Sequence, residues 1–316
     1  MHHRSRSSYP LARRSFIAGI AAAWSLSSQG DTGLSRIIDT HVHFYDPSRP
    51  GGVPWPPKDE KVLYRTVLPK DFRQLTASLG ITDVIEVEAS PLVEDNQWVL
   101  NLADKDPIIT ATVGNLEPDN PDFPKQLERF HRNPRFRGIR CGNLWQRSLR
   151  GQLSNPNFVD GLRLLARADL SLDSANPDPD LLATIVRVSD MVPELRIIID
   201  HLPIDPPAEV PKRQQLDATY KELGARPQIY VKVSNVLRKT NGQVHDDVAY
   251  YRPAIDQVWD IFGSDRLLYG SNWPVSDRIA PYPVVFKVVH EYFGARGKQA
   301  SEKYFSKNAI VAYRLK

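Results

Sequence analysis

What most constrains the fold of this chain is a repeat of pattern rather than of residues. Eight short apolar, β-branched runs alternate with amphipathic stretches of helical period. The strand-like runs fall at 36–43, 81–89, 107–115, 136–142, 170–174, 195–202, 229–236 and 267–271. Helical patterns lie between them, near 69–79, 94–105, 121–132, 157–168, 178–192, 211–224, 250–262 and 281–293, and a last one covers about 301–314. Near-continuous apolar strands separated by helices call for a parallel sheet covered by those helices. Eight such units favour closure into one α/β domain, a (β/α)8 TIM-type barrel. An open doubly wound sheet is the alternative. No G-x-G-x-x-G follows the first strand, so a dinucleotide fold lacks its usual signature.

The remaining composition narrows the function. Of 316 residues, 41% are hydrophobic and 25% charged, as in ordinary soluble domains. One cysteine rules out an intramolecular disulfide framework and a Cys-rich metal site, and Cys141 reads as a small buried apolar side chain. The formal charge is +4, and four arginines (Arg4, Arg6, Arg13, Arg14) fall in the first 30 residues, which hold no acid. The rest is therefore neutral, which argues against nucleic-acid binding. Residues 12–18 run A-R-R-S-F-I-A and lead into an apolar stretch at 18–26 that is too short to span a bilayer. This fits a twin-arginine export leader over 1–30, cleaved after Ala23 or Ser27, ahead of a barrel over 31–316. The expected location is periplasmic or extracytoplasmic, with no membrane segment beyond the leader.

The residues that could do chemistry cluster at the ends of the strand-like runs. In a strand of period two, His41 and His43 point to one face, where two imidazoles can bind a divalent metal. His201 ends the sixth run, I-I-I-D-H, and is placed to join them, with Asp200 as an orienting group or a cap. Arg140 lies near the end of the fourth run and suits a carboxylate or a polarised carbonyl oxygen. Glu88 and Asp173 add carboxylates to the rim, for a sugar hydroxyl or as helix caps. The eighth run reads L-L-Y-G-S-N-W-P-V. Many metal hydrolases need a carboxylate at its tip to take a proton from water, but Asn272 is an amide and cannot be a base. His201 or Asp277 would have to serve instead. Two proline-rich insertions, 44–67 after the first strand and 203–211 after the sixth, read as stiff walls or lids over a pocket. His131, His245 and His290 fall on helices or loops and read as structural.

These residues carry a resemblance. D-T-H-V-H at 39–43, R-G-I-R at 137–140, D-H-L-P at 200–203, Y-G-S-N-W-P-V at 269–275 and the closing F-S-K-N-A-I-V-A-Y-R-L are similar to amidohydrolase-related hydrolases. Within them, the chain resembles the branch of the sugar-lactone and 2-pyrone-4,6-dicarboxylate lactonases. The similarity runs in order from about residue 36 to 316. It implies a distorted (β/α)8 barrel, with His41, His43 and His201 facing the site and Arg140 on the substrate. It also implies one divalent metal, zinc or manganese, in metal-using members, whereas some lactonases of this branch work without one. The departure is Asn272, where the branch commonly has Asp as general base. The expected function is opening of a cyclic ester, a carbohydrate-derived lactone, by water. Decarboxylation or amide hydrolysis on the same barrel is the alternative. So is a non-catalytic carbohydrate-binding relative in which Trp55, Trp145 and Trp273 stack on sugar rings.

Overall fold

Eight parallel strands pair in chain order: Ile38–Val42, Asp83–Val87, Ile109–Gly114, Phe136–Gly142, Ser171–Ala175, Arg196–Leu202, Ile229–Val233 and Leu267–Tyr269. The computed structural model describes residues 33–316, so the expected leader lies outside the described residues. A helix follows each strand, at Pro69–Thr76, Asp95–Lys105, Phe123–His131, Pro156–Arg167, Pro179–Met191, Val210–Gly224, Val248–Phe262 and Tyr282–Ala295. These are the helices the periodicity calls for. The fold is a (β/α)8 barrel, and among the described residues no helix is long and apolar enough to cross a membrane.

The pleat sorts the strand residues into two layers. Ile38, Ile85, Val87, Ala111, Val113, Ile198, Tyr230 and Leu268 pack inside the barrel with Ala309, Ala312 and Tyr313 of the last helix. The alternate residues, such as Val84, Ile139, Leu172, Ile197, Val231 and Leu267, pack against the helices. The closing helical segment, Lys298–Tyr313, is interrupted by a π-helical turn at Lys303–Lys307. It is fastened by Asn308 Nδ2 to the Leu267 carbonyl (2.8 Å) and by Arg196 Nε to the Ala312 carbonyl (3.0 Å). It plugs one end of the barrel, so chemistry has only the other end to use.

The barrel closes by a seam, not a full ladder. The eighth strand has three residues, and its neighbour across the gap is the first strand. His43 N donates to the Trp273 carbonyl (2.9 Å), and Thr40 Oγ1 donates to the Tyr269 carbonyl (2.6 Å). Asp39 Oδ1 accepts from Ser271 N (2.9 Å) and His41 N (3.1 Å), and its Oδ2 accepts from Tyr282 Oη (2.9 Å). Buried side chains therefore satisfy backbone groups that a longer strand would have paired. The first strand slips register between Asp39 and Val42. That slip has a consequence for the site. From Ile38 inside, strict alternation would put Thr40 and Val42 inside; the irregularity instead sends Val42 outward and turns His41 and His43 inward.

Candidate active site

Above the apolar floor the barrel interior is ionic. Lys232, two residues beyond inward-facing Tyr230, sends its ammonium to Asp173 Oδ2 (2.7 Å) and Asp200 Oδ1 (3.0 Å), all three side chains fully buried. Tyr313 of the closing helix donates to the same Asp173 oxygen (2.6 Å). Arg140 Nε donates to Asp200 Oδ2 (2.9 Å), so a cation meets each oxygen of Asp200. Despite burial, Lys232, His41 and Arg140 hold the Asp200 carboxyl well below its ordinary range. His41 Nδ1 lies 3.3 Å from Lys232 Nζ and 3.4 Å from Asp200 Oδ1. Its Nε2 is buried with no partner. Gly270 makes this arrangement possible: a Cβ there would come within 2.9 Å of the His41 Cβ.

The next layer is the pocket. A cavity of about 330 Å³ is lined by His43, Glu88, Arg140, His201 and Asn272, with Trp55 and Trp145 among its walls. His43 donates through Nδ1 to the Val87 carbonyl (2.7 Å), which leaves Nε2 for the pocket and the Asn272 amide. Burial and the nearby Arg140 charge pull the His43 imidazole down to about 4. Burial pulls His201 down to about 3 against the attraction of Asp200. Both rings are therefore neutral at pH 7. His201 Nδ1 meets Ser234 Oγ at 2.8 Å. Its position depends on backbone chirality. Asp200 points inward as Ile198 does, so His201 should point outward; its left-handed backbone (φ 59°) returns the ring to the rim. Asn272 uses the same device (φ 59°), as do Asn176 and Asn235 (both φ 52°), which line the pocket as well.

Glu88 stands on the pocket wall beyond the end of the second strand. Its Oε2 accepts from Trp145 Nε1 (3.1 Å) and Ser90 N (3.1 Å). Its Oε1 is buried without a hydrogen-bond partner, 3.6 Å from Arg140 Nη1. Burial raises its carboxyl to about 7, against the opposing pull of Arg140.

Other sequence expectations land elsewhere. Trp273 is 2% exposed and packs edge-on against Phe44 and Phe72 in the helix-facing layer, so it does not line the pocket. Asp277 sits on a short 3-10 turn, bonded to Arg65 Nη2 (2.8 Å), and is absent from the pocket wall. Asp173 is a floor residue tied to Lys232 rather than a rim carboxylate. The 44–67 insertion supplies Trp55 to the pocket and Glu60, which pairs with the lining residue Arg278 at 2.9 Å. Cys141 is buried, and burial pushes its thiol up to about 12, which leaves it inert. Lys232 was not anticipated from the sequence. Its signal is a lysine inside the otherwise apolar run I-Y-V-K-V.

The donor set for a metal differs from the three imidazoles first expected. His41, Asp200 and His201 bring one donor atom each within 4.8 Å of one another, and His43 falls outside this group. The unpartnered Nε2 of His41 and the nitrogen–oxygen donor set fit a divalent ion such as zinc. Asp200 would share it with Lys232 and Arg140.

Comparison with known proteins agrees with this architecture. The model of the amidohydrolase family matches residues 38–315. An L-fucono-1,5-lactonase of Burkholderia ambifaria is 30% identical over 239 residues, 76% of this chain and 80% of that protein. A second L-fucono-1,5-lactonase, from Burkholderia multivorans, is 25% identical over 269 residues, 82% of this chain and 89% of its own length. Among solved structures, an amidohydrolase from Burkholderia multivorans with bound zinc superposes with a TM-score of 0.78 at 23% identity, covering 89% of this chain and all of that one. With a single family model spanning the barrel from its first strand to its closing helix, the chain belongs to the amidohydrolase family.

Proposed function

We propose that the chain hydrolyses a cyclic ester, a carbohydrate-derived lactone, at the pocket above the Lys232 cluster. The observation that carries this reading is the pocket's polarity. One buried guanidinium, Arg140, reaches it across from neutral imidazoles, amides and two tryptophan rings. Arg140 is 6% exposed, and its charge is fixed in place by Asp200. A preorganised cation of this kind stabilises the oxyanion that forms when water adds to an ester carbonyl. The outer arginine of the wall, Arg278, is paired with Glu60 as Arg140 is with Asp200, so among the described residues the wall offers no unpaired cation for a second substrate carboxylate. Asn176, Asn235 and Asn272 present amides suited to sugar hydroxyls, and Trp55 and Trp145 present flat faces suited to a ring. The names of the two lactonase relatives support the same substrate class.

A divalent ion held by His41, Asp200 and His201 would add Lewis-acid polarisation of the carbonyl. The chain's own contribution is to orient the ring between the tryptophans, hold Arg140 at the carbonyl oxygen and keep His43 and His201 uncharged. The proposal includes export: Arg13–Arg14 ahead of the apolar 18–26 stretch supports passage through a twin-arginine route. Cell fractionation with Arg13→Lys and Arg14→Lys together tests it, since retention of the parent protein inside the cell would exclude export.

The catalytic reading is tested by a pH-indicator assay with neutral sugar lactones and dicarboxylate lactones, with zinc, with manganese and with chelator. Turnover of neutral lactones above dicarboxylate lactones is the expected result. No turnover of any lactone by folded protein refutes the reading.

A further inference from the structure

We infer that Glu88 is the general base of the reaction, in the role that Asn272 cannot fill. The inference rests on the lactone reading above and adds to it the group that moves the proton.

A base must line the pocket and keep an oxygen or nitrogen that no protein donor claims. Asp200 lends one oxygen to Arg140 and the other to Lys232. Asp173 accepts from Lys232 and Tyr313 on Oδ2 and from Ser171 on Oδ1 (3.2 Å), below the pocket. Asp277 is bonded to Arg65 and lies off the wall. Asp200 Oδ1 and Glu88 Oε1 are both buried with no hydrogen-bond partner, but Asp200 Oδ1 faces the Lys232 ammonium at 3.0 Å and does not line the pocket, whereas Glu88 does. Its other oxygen is pinned by Trp145 and Ser90 N, so the unclaimed one is held in a fixed direction. The charged groups that face it are Arg140 and Arg147, with Glu86 on its own strand. His43 is engaged by the Val87 carbonyl and the Asn272 amide, and His201 by Ser234 and the metal-holding group, while a Glu88 carboxyl raised to about 7 by burial is matched to proton transfer at neutral pH.

Glu88 Oε1 takes one proton from a water, and the water oxygen forms a bond to the lactone carbonyl carbon. The developing oxyanion faces Arg140. The bond between the carbonyl carbon and the ring oxygen then breaks, and the proton on Glu88 passes to that oxygen, which leaves as the product's hydroxyl. The new carboxylic acid loses its remaining proton to solvent, and Glu88 is again a carboxylate.

The test is the pH dependence of kcat and kcat/KM on the best lactone of the panel, for the parent, Glu88→Gln and Glu88→Asp. The parent is expected to gain activity through an acid limb near pH 7. Glu88→Gln should lose about 10²–10⁴-fold in kcat with KM little changed, and lose that limb. Thermal melting shows whether this variant is folded. If it is not, Glu88→Asp decides: a carboxylate drawn back by one methylene should keep a limb, at a displaced pH and with kcat lowered at least tenfold. A folded Gln variant within tenfold of the parent and with the limb intact overturns the assignment, as does an Asp variant with parental rate and limb. A parent inactive on every lactone would instead refute the hydrolase reading and the base with it, so the two failures are distinct.

Discussion

Lys232 is the residue whose loss should be felt most widely. Its ammonium joins Asp173 and Asp200 inside the barrel, with no part of any of the three exposed. Lys232→Met keeps the length of the stem and removes the charge. Two buried carboxylates then face each other with Arg140 as the remaining cation, and removing one partner of a buried pair costs about 3–5 kcal/mol. Because one ammonium serves two carboxylates here, the upper part of that range applies. At about 2.1 cal/mol/K of unfolding entropy per residue, a chain of this length loses about 1 °C in melting temperature for each 0.6 kcal/mol, so a cost of about 4–5 kcal/mol should lower it by about 7–8 °C. The pH dependence has a definite sign. Burial already raises Asp173, and loss of Lys232 raises it further. A carboxyl raised in the folded state favours folding when protonated, so the variant's deficit against the parent should shrink from pH 7 to pH 5. Urea unfolding of both proteins at the two pH values measures this. A deficit below 1 kcal/mol at pH 7, or one that widens on acidification, would refute the claim that this cluster is held by charge.

Three further predictions use other parts of the structure. Gly270→Ala places a Cβ 2.9 Å from the His41 Cβ, so it should displace His41 and reduce kcat at least tenfold with a fold loss of about 1–3 kcal/mol, read by kinetics and melting. Asn272→Asp should raise kcat by no more than about threefold, because Glu88 already holds the base position; a gain of a hundredfold would show that the parent lacks a working base. Burial raises Asp39 at the seam to about 6, so its contribution is full below about pH 4 and lost as pH rises through 6. Asp39→Asn should therefore flatten the stability profile between pH 4 and 7 by about 2–3 kcal/mol, seen as a smaller shift of the urea midpoint.

The barrel itself was legible in the sequence, because parallel strands buried on both faces leave unbroken apolar runs and their helices keep the 3.6-residue period. The inward direction of His41 and His43 was anticipated from the pleat, yet the pleat alone is insufficient: the slip between Asp39 and Val42 sets the phase. His201 and Asn272 reach the pocket through left-handed backbones, which no alternation rule expresses. Asp277 and Trp273 lie close in sequence to the tip of the eighth strand, but the chain turns there, carrying the acid to Arg65 and the indole into the helix-facing layer. From the sequence, Glu88 reads as a carboxylate at a strand end. The direction of its unclaimed oxygen depends on a local bond from Ser90 N and on Trp145, a contact that arises only when the second and fourth strand–helix units are brought together.

The central claim is that a water deprotonated at Glu88 attacks the lactone carbonyl. A single turnover in water enriched in ¹⁸O, with enzyme in excess over lactone, tests this most directly. The account predicts one ¹⁸O in the product carboxylate in the first turnover and none in its new hydroxyl, with the Glu88 peptide unlabelled. An unlabelled product accompanied by ¹⁸O in the Glu88 carboxylate would contradict it, because the enzyme's own oxygen would then have made the bond.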